Sequence, residues 1–297
     1  MPRTGRPVTT MTLGSRGWDR QVIRSALTPL GTGAQPLAMI DNTPQKHASS
    51  YRLPVEDTDF LLRDEMRDIR FALEYSKADL GLRDWGIRST VIVFGSARTP
   101  APEQPNADPK GVARYQAARA FARIASERGG ALAPRRRWRD NVIATGGGGG
   151  IMEAANRGAQ EAEAPTIGFN IGLPREQEPN PYTTPELTFR FHYFAMRKMH
   201  MAMRANALVV FPGGFGTLDE LFEILTLVQT RKMRPVPIIL FEEAYWRQVI
   251  SFEALAAERM VDQAELDLFT FADTPEQAWE MLVRRGLLLG EAATRPA

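Results

Sequence analysis

The chain has 297 residues, with 37 Lys and Arg against 35 Asp and Glu and a formal net charge of +2, a size that suits one large α/β domain. It contains no cysteine and, with His47, His192 and His200, only three histidines, which removes disulfides, thiolate nucleophiles, Cys-ligated metals and a His-rich metal site. No apolar run reaches membrane-spanning length and the charge balance is poor for a nucleic-acid-binding face, so a soluble, cytoplasmic protein is expected.

Up to about residue 42 the chain is rich in Arg, Thr, Gly and Pro and nearly free of acids. We read residues 1–50 as a poorly ordered tail, with Met11 and Met39 as alternative starts, and residues 51–290 as a single domain. Residues 60–82 interleave apolar side chains with acids and arginines as an amphipathic helix does. The run TVIVF at 90–94 reads as a buried parallel strand ending in Gly95-Ser96-Ala97-Arg98. A Pro-rich loop at 99–109 leads to a helix at 115–128, stopped by Gly129 and Gly130.

The same plan recurs with a strand at 141–145, five glycines at 146–150 and a helix from Ile151, followed by a strand at 166–171. The polar, Pro-rich segment 173–185 is long enough to be suspected of function. A strand at 187–191, a helix at 196–204 and a strand at 207–211 lead into PGGFGTLDE at 212–220, with helical composition resuming at Leu221. A strand at 236–241 and helices at 244–257 and 275–285 complete the pattern. Strands alternating with helices predict a Rossmann-like α/β fold, a doubly wound parallel sheet with helices on both faces. The glycine turns after Phe94, Thr145 and Phe211 then all lie at carboxyl ends of strands, where such sheets bind ligands.

The run at 212–220 has the grammar of a phosphate site: glycines admit an anion to the backbone, a helix N-terminus offers unpaired N–H groups, and Thr217 adds a hydroxyl. Glu220 is too close to serve as a phosphate ligand and calls for a chemical role. Placed in the first helical turn, it is expected to stay ionised at neutral pH. Arg197 and Lys198 supply cations just upstream, and arginine can grip phosphate or carboxylate in a fork. The glycine run at 146–150 is misplaced for a dinucleotide fingerprint and lacks the following ribose-binding acid, so NAD is not expected. The RRRWR block at 135–139 reads as a solvated loop, His192 and His200 as packing or pocket-lining residues, and Ser96 lacks the context of a nucleophile.

FGSAR at 94–98, GGG at 146–148 with IMEAAN at 151–156, Arg197-Lys198 and PGGFGTLDE, in this order, resemble the LONELY GUY (LOG) family, particularly its longer bacterial members. Members have often been labelled lysine decarboxylases, but the family's activity is that of a phosphoribohydrolase. Water cleaves the N-glycosidic bond of a nucleoside 5′-monophosphate, giving free base and ribose 5-phosphate. The resemblance implies that Arg197 and Glu220 are catalytic. It implies substrate contacts from Gly95, Ser96, Gly147, Gly148, Met152, Glu176, Lys198, Gly213, Gly214, Gly216, Thr217, Asp219 and Thr226. Gly149 departs from the proline usual in longer members. Phe215, Met152, Met199 and the 173–185 loop are candidates for the base pocket.

A carboxylate beside the anomeric carbon suits the positive charge that builds on the sugar, and no metal or cofactor is expected. The substrate class implied is AMP or an N6-modified, cytokinin-type AMP, in a homodimer or higher homo-oligomer with the helix at 60–82 as a contact candidate. A nucleotide sensor or carrier without turnover is the alternative.

Overall fold

The computed structural model describes residues 41–132, 134, 137–172 and 178–289. The chain divides between Asp57 and Thr58. In the first unit, the described part is a helix α1 (Thr43–His47) and 3-10 turns at Ser49–Tyr51 and Pro54–Glu56, none of which buries a side chain. Residues 1–40 of the tail lie outside the described residues.

The second unit is built on seven strands among the described residues: β1 (Thr90–Phe94), β2 (Val142–Thr145), β3 (Thr166–Ile171), β4 (Thr188–Phe191), β5 (Ala205–Val210), β6 (Ile238–Phe241) and β7 (Phe269–Ala272). They form one sheet in the order β4-β3-β2-β1-β5-β6-β7, every pair parallel. The expected doubly wound architecture is therefore what the chain adopts. The connecting helices are α2 (Thr58–Leu61), α3 (Arg67–Asp84), α4 (Pro109–Gly129), α5 (Ile151–Glu161), α6 (Phe194–Met203), α7 (Phe215–Gln229), α8 (Glu243–Val249), α9 (Phe252–Ala257) and α10 (Pro275–Arg284).

Side chains alternate across a strand, so each central strand feeds two cores. Val91 and Val93 of β1, with Ala207 and Val209 of β5, join Tyr115, Phe121, Ile151 and Ala278 on one face. Ile92, Phe94, Leu208 and Val210 join Leu82, Met201, Leu221 and Trp246 on the other. Each fully buried aliphatic or aromatic side chain contributes roughly 1.5–3 kcal/mol. The chain runs from β1 outward to β4, then returns to lay β5 on the free side of β1. That reversal opens a crevice at the carboxyl ends of β1 and β5, the place where open α/β sheets bind ligands.

Several elements differ from the sequence reading. Helix α4 begins at Pro109 rather than near Tyr115, because Asp108 caps it through Oδ2 to the Gly111 amide at 2.8 Å and Pro109 is preset for the first turn. The helix expected at 60–82 is broken ahead of α3 by a 3-10 turn at Asp64–Met66. There the Arg70 guanidinium takes up the carbonyls of Leu61 and Arg63 at 2.8 and 2.5 Å. The stretch 244–257 divides into α8 and α9 at Ile250 and Ser251. Strand β7 had no sequence assignment; it pairs with β6 after a 3-10 helix, Gln263–Leu268, held by a capping box between Asp262 and Glu265. Of the described residues in the 135–139 block, Arg139 donates to the carbonyls of Ala131 and Leu132, and Arg137 lies over the Trp138 ring.

Helices α4 and α5 meet at Gly158, where an added Cβ would collide with the Arg119 carbonyl oxygen. Gly158→Ala is therefore expected to destabilise the protein by about 1–3 kcal/mol through overpacking, although alanine alone favours a helix by about 1 kcal/mol. Urea denaturation would check the sign; a stabilised variant would mean that the helices move apart freely.

Candidate active site

One residue stitches the three glycine turns together. Ser96, in the turn after β1, donates its amide to the Pro212 carbonyl at 3.1 Å, and its own carbonyl accepts from the Ile151 amide at 3.0 Å. Its hydroxyl accepts from the Arg98 amide at 3.1 Å, closing its own turn. Gly95 and Gly150 permit this approach: a Cβ on Gly95 would strike the Ile151 side chain, and one on Gly150, at φ +65°, would strike the Ser96 carbonyl.

The turn after β2 is held from below by buried polar side chains. The Gly147 carbonyl accepts from the Asn180 amide at 2.8 Å and from Asn170 Nδ2 at 3.1 Å. The Gly148 carbonyl accepts from Asn180 Nδ2 at 2.9 Å. Asn180 Nδ2 also reaches Asn156 Oδ1, which accepts from Thr145 Oγ1 at 2.7 Å, while Asn156 Nδ2 donates to Thr166 Oγ1 at 2.6 Å. Gly147 adopts φ +71° and packs against Asn170, leaving no room for a side chain. The described end of the 173–185 loop, through Asn180, thus braces the turn. Glu176 lies outside the described residues. At Gly149 a Cβ would meet only the Ala97 carbonyl at 3.7 Å, an ordinary contact, so packing does not demand glycine there.

Arg197 on α6 links this turn to the PGGFGTLDE segment. Its Nε donates to the Phe169 carbonyl within β3 at 2.8 Å, and its Nη1 donates to Glu220 Oε1 at 3.0 Å. Its other terminal nitrogen and the Met152 sulfur lie against Gly146. Side-chain exposure is 11% for Arg197 and 8% for Glu220, so this is a buried ion pair. Burial pulls the Arg197 guanidinium below its usual range. Burial also pushes the Glu220 carboxyl above its ordinary value, opposed by the positive charges of Arg197 and Lys198.

The expected place of Glu220 in the first helical turn is corrected by the structure. Helix α7 starts at Phe215 with Gly214 as N-cap, so Glu220 stands in the second turn and no acid occupies the first. Dipole stabilisation fades within the first turn, and desolvation prevails.

Around the α7 start, Thr217 is buried with its side chain over Gly213. A Cβ at Gly214 or Gly216 would meet open space, and neither has positive φ, so nothing in the chain itself requires these glycines. Phe215 is 92% exposed beside them. Lys198 turns away to the outer face of α7, where Nζ meets Asp219 at 2.7 Å and Glu223 at 2.8 Å, and these contacts raise its pKa against the opposing effect of burial. Lys198, Asp219 and Thr226 share a shallow depression floored by Leu218, Phe222 and Leu227. Thr226 Oγ1 donates to the Phe222 carbonyl at 2.7 Å.

The structure therefore divides the sequence-derived residues into two groups. Gly95, Ser96, Gly147, Gly148, Met152, Arg197, Gly213, Gly214, Gly216, Thr217 and Glu220 gather at the strand ends; Lys198, Asp219 and Thr226 occupy the flank of α7. Asn156, Asn170 and Asn180 had no assigned role. No group of three or more His, Cys, Asp or Glu able to hold a metal occurs among the described residues, and no helix among them is long and apolar enough to cross a membrane.

A family model described as "Possible lysine decarboxylase" matches residues 152–282. Over 147 residues the chain is 27% identical to the "Probable cytokinin riboside 5'-monophosphate phosphoribohydrolase LOG4" of Oryza sativa subsp. japonica, covering 48% of this chain and 61% of that protein. Over 56 residues it is 38% identical to the cytokinin riboside 5'-monophosphate phosphoribohydrolase LOG7 of Arabidopsis thaliana, covering 19% of this chain and 26% of that one. These matches support membership of the LOG family.

The chain spans 61% or less of the length of these two LOG relatives. Among solved structures, the X-ray structure of TM1055 aligns with a TM-score of 0.46 at 21% identity, covering 66% of this chain and 99% of that one. The molybdenum cofactor binding protein from Rippkaea orientalis aligns with a TM-score of 0.43 at 20% identity, covering 66% and 97%.

Three residues beyond Arg197 on α6, His200 is 1% exposed and packs among the rings of Tyr75, Phe169 and Phe191, as the packing role expected for it requires. Neither ring nitrogen has a hydrogen-bond partner among the described residues. His192 is exposed, edge-on to Tyr193. Burial lowers the His200 pKa from 6.5, with Arg204 adding to the effect and Asp79 opposing it. A depressed base binds fewer protons folded than unfolded, so stability is lost as pH falls below 6.5 towards the folded value. His200→Phe should flatten the melting temperature across that window, removing a slope of at most about 1.4 kcal/mol per pH unit. An unchanged acid slope would show that other groups carry it.

Proposed function

We propose that this chain hydrolyses the N-glycosidic bond of a nucleoside 5′-monophosphate, AMP or an N6-modified AMP, to free base and ribose 5-phosphate. The observation that carries this reading is the buried Arg197–Glu220 pair, 3.0 Å apart, where the glycine turns converge. A binder needs the turns alone. Two charges withdrawn from water are hard to justify by stability, since apolar replacements are often as good or better. Perturbed ionisable groups in a crevice fit chemistry.

In the reaction the C1′–N bond breaks, its electron pair goes to the base and positive charge builds on the ribose. Water attacks C1′, and its protons are shared between the new hydroxyl and the departing base. The Glu220 carboxylate stabilises the cationic sugar and accepts a proton from the attacking water. Arg197 holds the carboxylate and keeps it ionised against burial. The open Cβ positions at Gly214 and Gly216 support close approach of the phosphate to the backbone.

The decarboxylase description has little support from these residues. A Schiff-base lysine must present a neutral amine, whereas Lys198 is paired with Asp219 and Glu223 and its pKa is raised. A homodimer is part of the proposed reading, and the exposed side chains of Ile69, Leu73 and Leu80 on α3 support a contact there.

Base release from AMP and N6-isopentenyl-AMP, followed by chromatography, tests the proposal. Glu220→Gln retains a hydrogen-bond acceptor for Arg197 and should lower release by about a hundred- to a thousand-fold while remaining folded. Arg197→Ala should keep only a small residual activity and also lose about 3–5 kcal/mol of stability, because it strands a buried carboxylate. Wild-type turnover in Glu220→Gln would remove that residue from the mechanism, and tight calorimetric binding with no base released would make the protein a carrier or sensor. Because protonated Glu220 cannot serve, the acid limb of kcat/KM should lie above 4.5 and move further up in Arg197→Met, where the opposing positive charge is gone.

A further inference from the structure

A cavity of about 350 Å³, sharing no lining residue with the depression around Lys198, is lined by residues that include Ser96, Arg98, Asp108, Arg114, Gly213 and Tyr245. Its floor is fixed. The Ser96 amide is tied to Pro212, and Tyr245 Oη donates to the Gly213 carbonyl at 2.6 Å, with the Arg114 guanidinium 5.3 Å from the Tyr245 ring centre. Most of its charge is already matched. Arg114 makes a two-pronged contact with Glu242 at 2.5 and 2.6 Å, Lys110 adds a third at 3.2 Å, and Asp108 is engaged in capping α4.

Arg98 is the exception. Its side chain is exposed and makes no ion pair among the described residues, while its amide is pinned by the Ser96 hydroxyl at 3.1 Å. Counting Arg98, Arg114 and Lys110 against Asp108 and Glu242, this flank carries a surplus of one positive charge. The Lys198 flank sets that lysine against Asp219 and Glu223, a surplus of one negative charge. An anion approaching the exposed glycines of the turn is drawn to the first flank and repelled by the second.

We propose that the substrate's phosphate sits on the Arg98 side of the turn and that Arg98 grips it, an inference resting on the phosphoribohydrolase reading above. The guanidinium fork supplies charge-assisted hydrogen bonds to phosphate oxygens. Arg98 is a substrate-binding residue that selects phosphorylated over unphosphorylated ligands, and Lys198 is a structural cation holding α6 to α7.

Arg98→Ala, which alters an exposed side chain, is compared with Arg98→Lys and with Arg123→Ala, the removal of an exposed arginine on α4. Circular dichroism checks the fold. Arg98→Ala should raise the KM for AMP and weaken ribose 5-phosphate binding by about ten- to a hundred-fold with kcat little changed, and Arg98→Lys should recover part of the loss. Release of adenine from unphosphorylated adenosine should be the same in both proteins, and Arg123→Ala should behave as wild type. If Arg98→Ala keeps the wild-type KM and ribose 5-phosphate affinity while base release persists, the Arg98 assignment is wrong and the hydrolase reading stands. If the wild type releases no base from any nucleotide, the hydrolase reading fails. Ribose 5-phosphate and inorganic phosphate binding then decides Arg98 by itself: affinity lost in Arg98→Ala supports the site, and equal affinity, or none in the wild type, overturns it.

Discussion

The Ser96 peptide donates to the turn after β5 and accepts from the helix that follows β2, so the ends of three strands are tied by two backbone hydrogen bonds. The order of the sheet makes this tie available, because β1 is the strand flanked by both β2 and β5. Backbone bonds of this kind depend on close approach. Ile151 blocks any side chain at Gly95, and the Ser96 carbonyl blocks any at Gly150. Each contributes about 1 kcal/mol to stability, but the geometric consequence is larger. With the turns locked, Arg197 can span from the Phe169 carbonyl to Glu220, and the charged pair has a defined place to stand.

That pair is held against an unfavourable background. Burial opposes ionisation of both partners, and each restores the other's charge. The second-turn position of Glu220 deprives it of most of the help that a helix terminus gives a carboxylate, so its charge depends on Arg197 and Lys198. Lys198 contributes at a distance, its ammonium being occupied by Asp219 and Glu223. The five charges form a network between α6 and α7 in which the partly buried members govern the ionisation of the carboxylate.

The alternation of strands and helices was legible because buried parallel strands such as TVIVF and TIGFNI are nearly continuous apolar runs closed by glycine or polar turns. Edge strand β7 was not, since FTFA is four residues long and only half of it is buried. The start of α4 was written in Asp108-Pro109 but hidden by the proline-rich segment around it. The Arg197–Glu220 partnership emerged only from motif resemblance, because 23 residues separate the two and no periodicity links them. The asparagines that brace the second glycine turn reach across 23 and 32 residues, Asn170 to Gly147 and Asn180 to Gly148. A single asparagine looks alike in sequence whether it faces water or bonds a carbonyl. For Lys198 a usable signal did exist: Asp219 and Glu223, four apart, share one face of α7 and form a natural seat for a cation.

Helix α7 carries both halves of the proposed chemistry. Its N-terminal glycines stand open to the crevice, and Glu220 lies five residues beyond Phe215, about 7.5 Å along the axis. A rigid helix rather than a loop therefore sets the spacing between the anion end of the site and the carboxylate. In a nucleoside monophosphate the ribose is the part that lies between phosphate and base. Once the phosphate is fixed at the turn, the sugar is the group delivered to Glu220, while the base must extend further, towards whatever lines the crevice beyond. On this reading α7 positions the bond to be broken by anchoring the phosphate, a part that does not vary with the base, which leaves the choice of base to residues outside the helix.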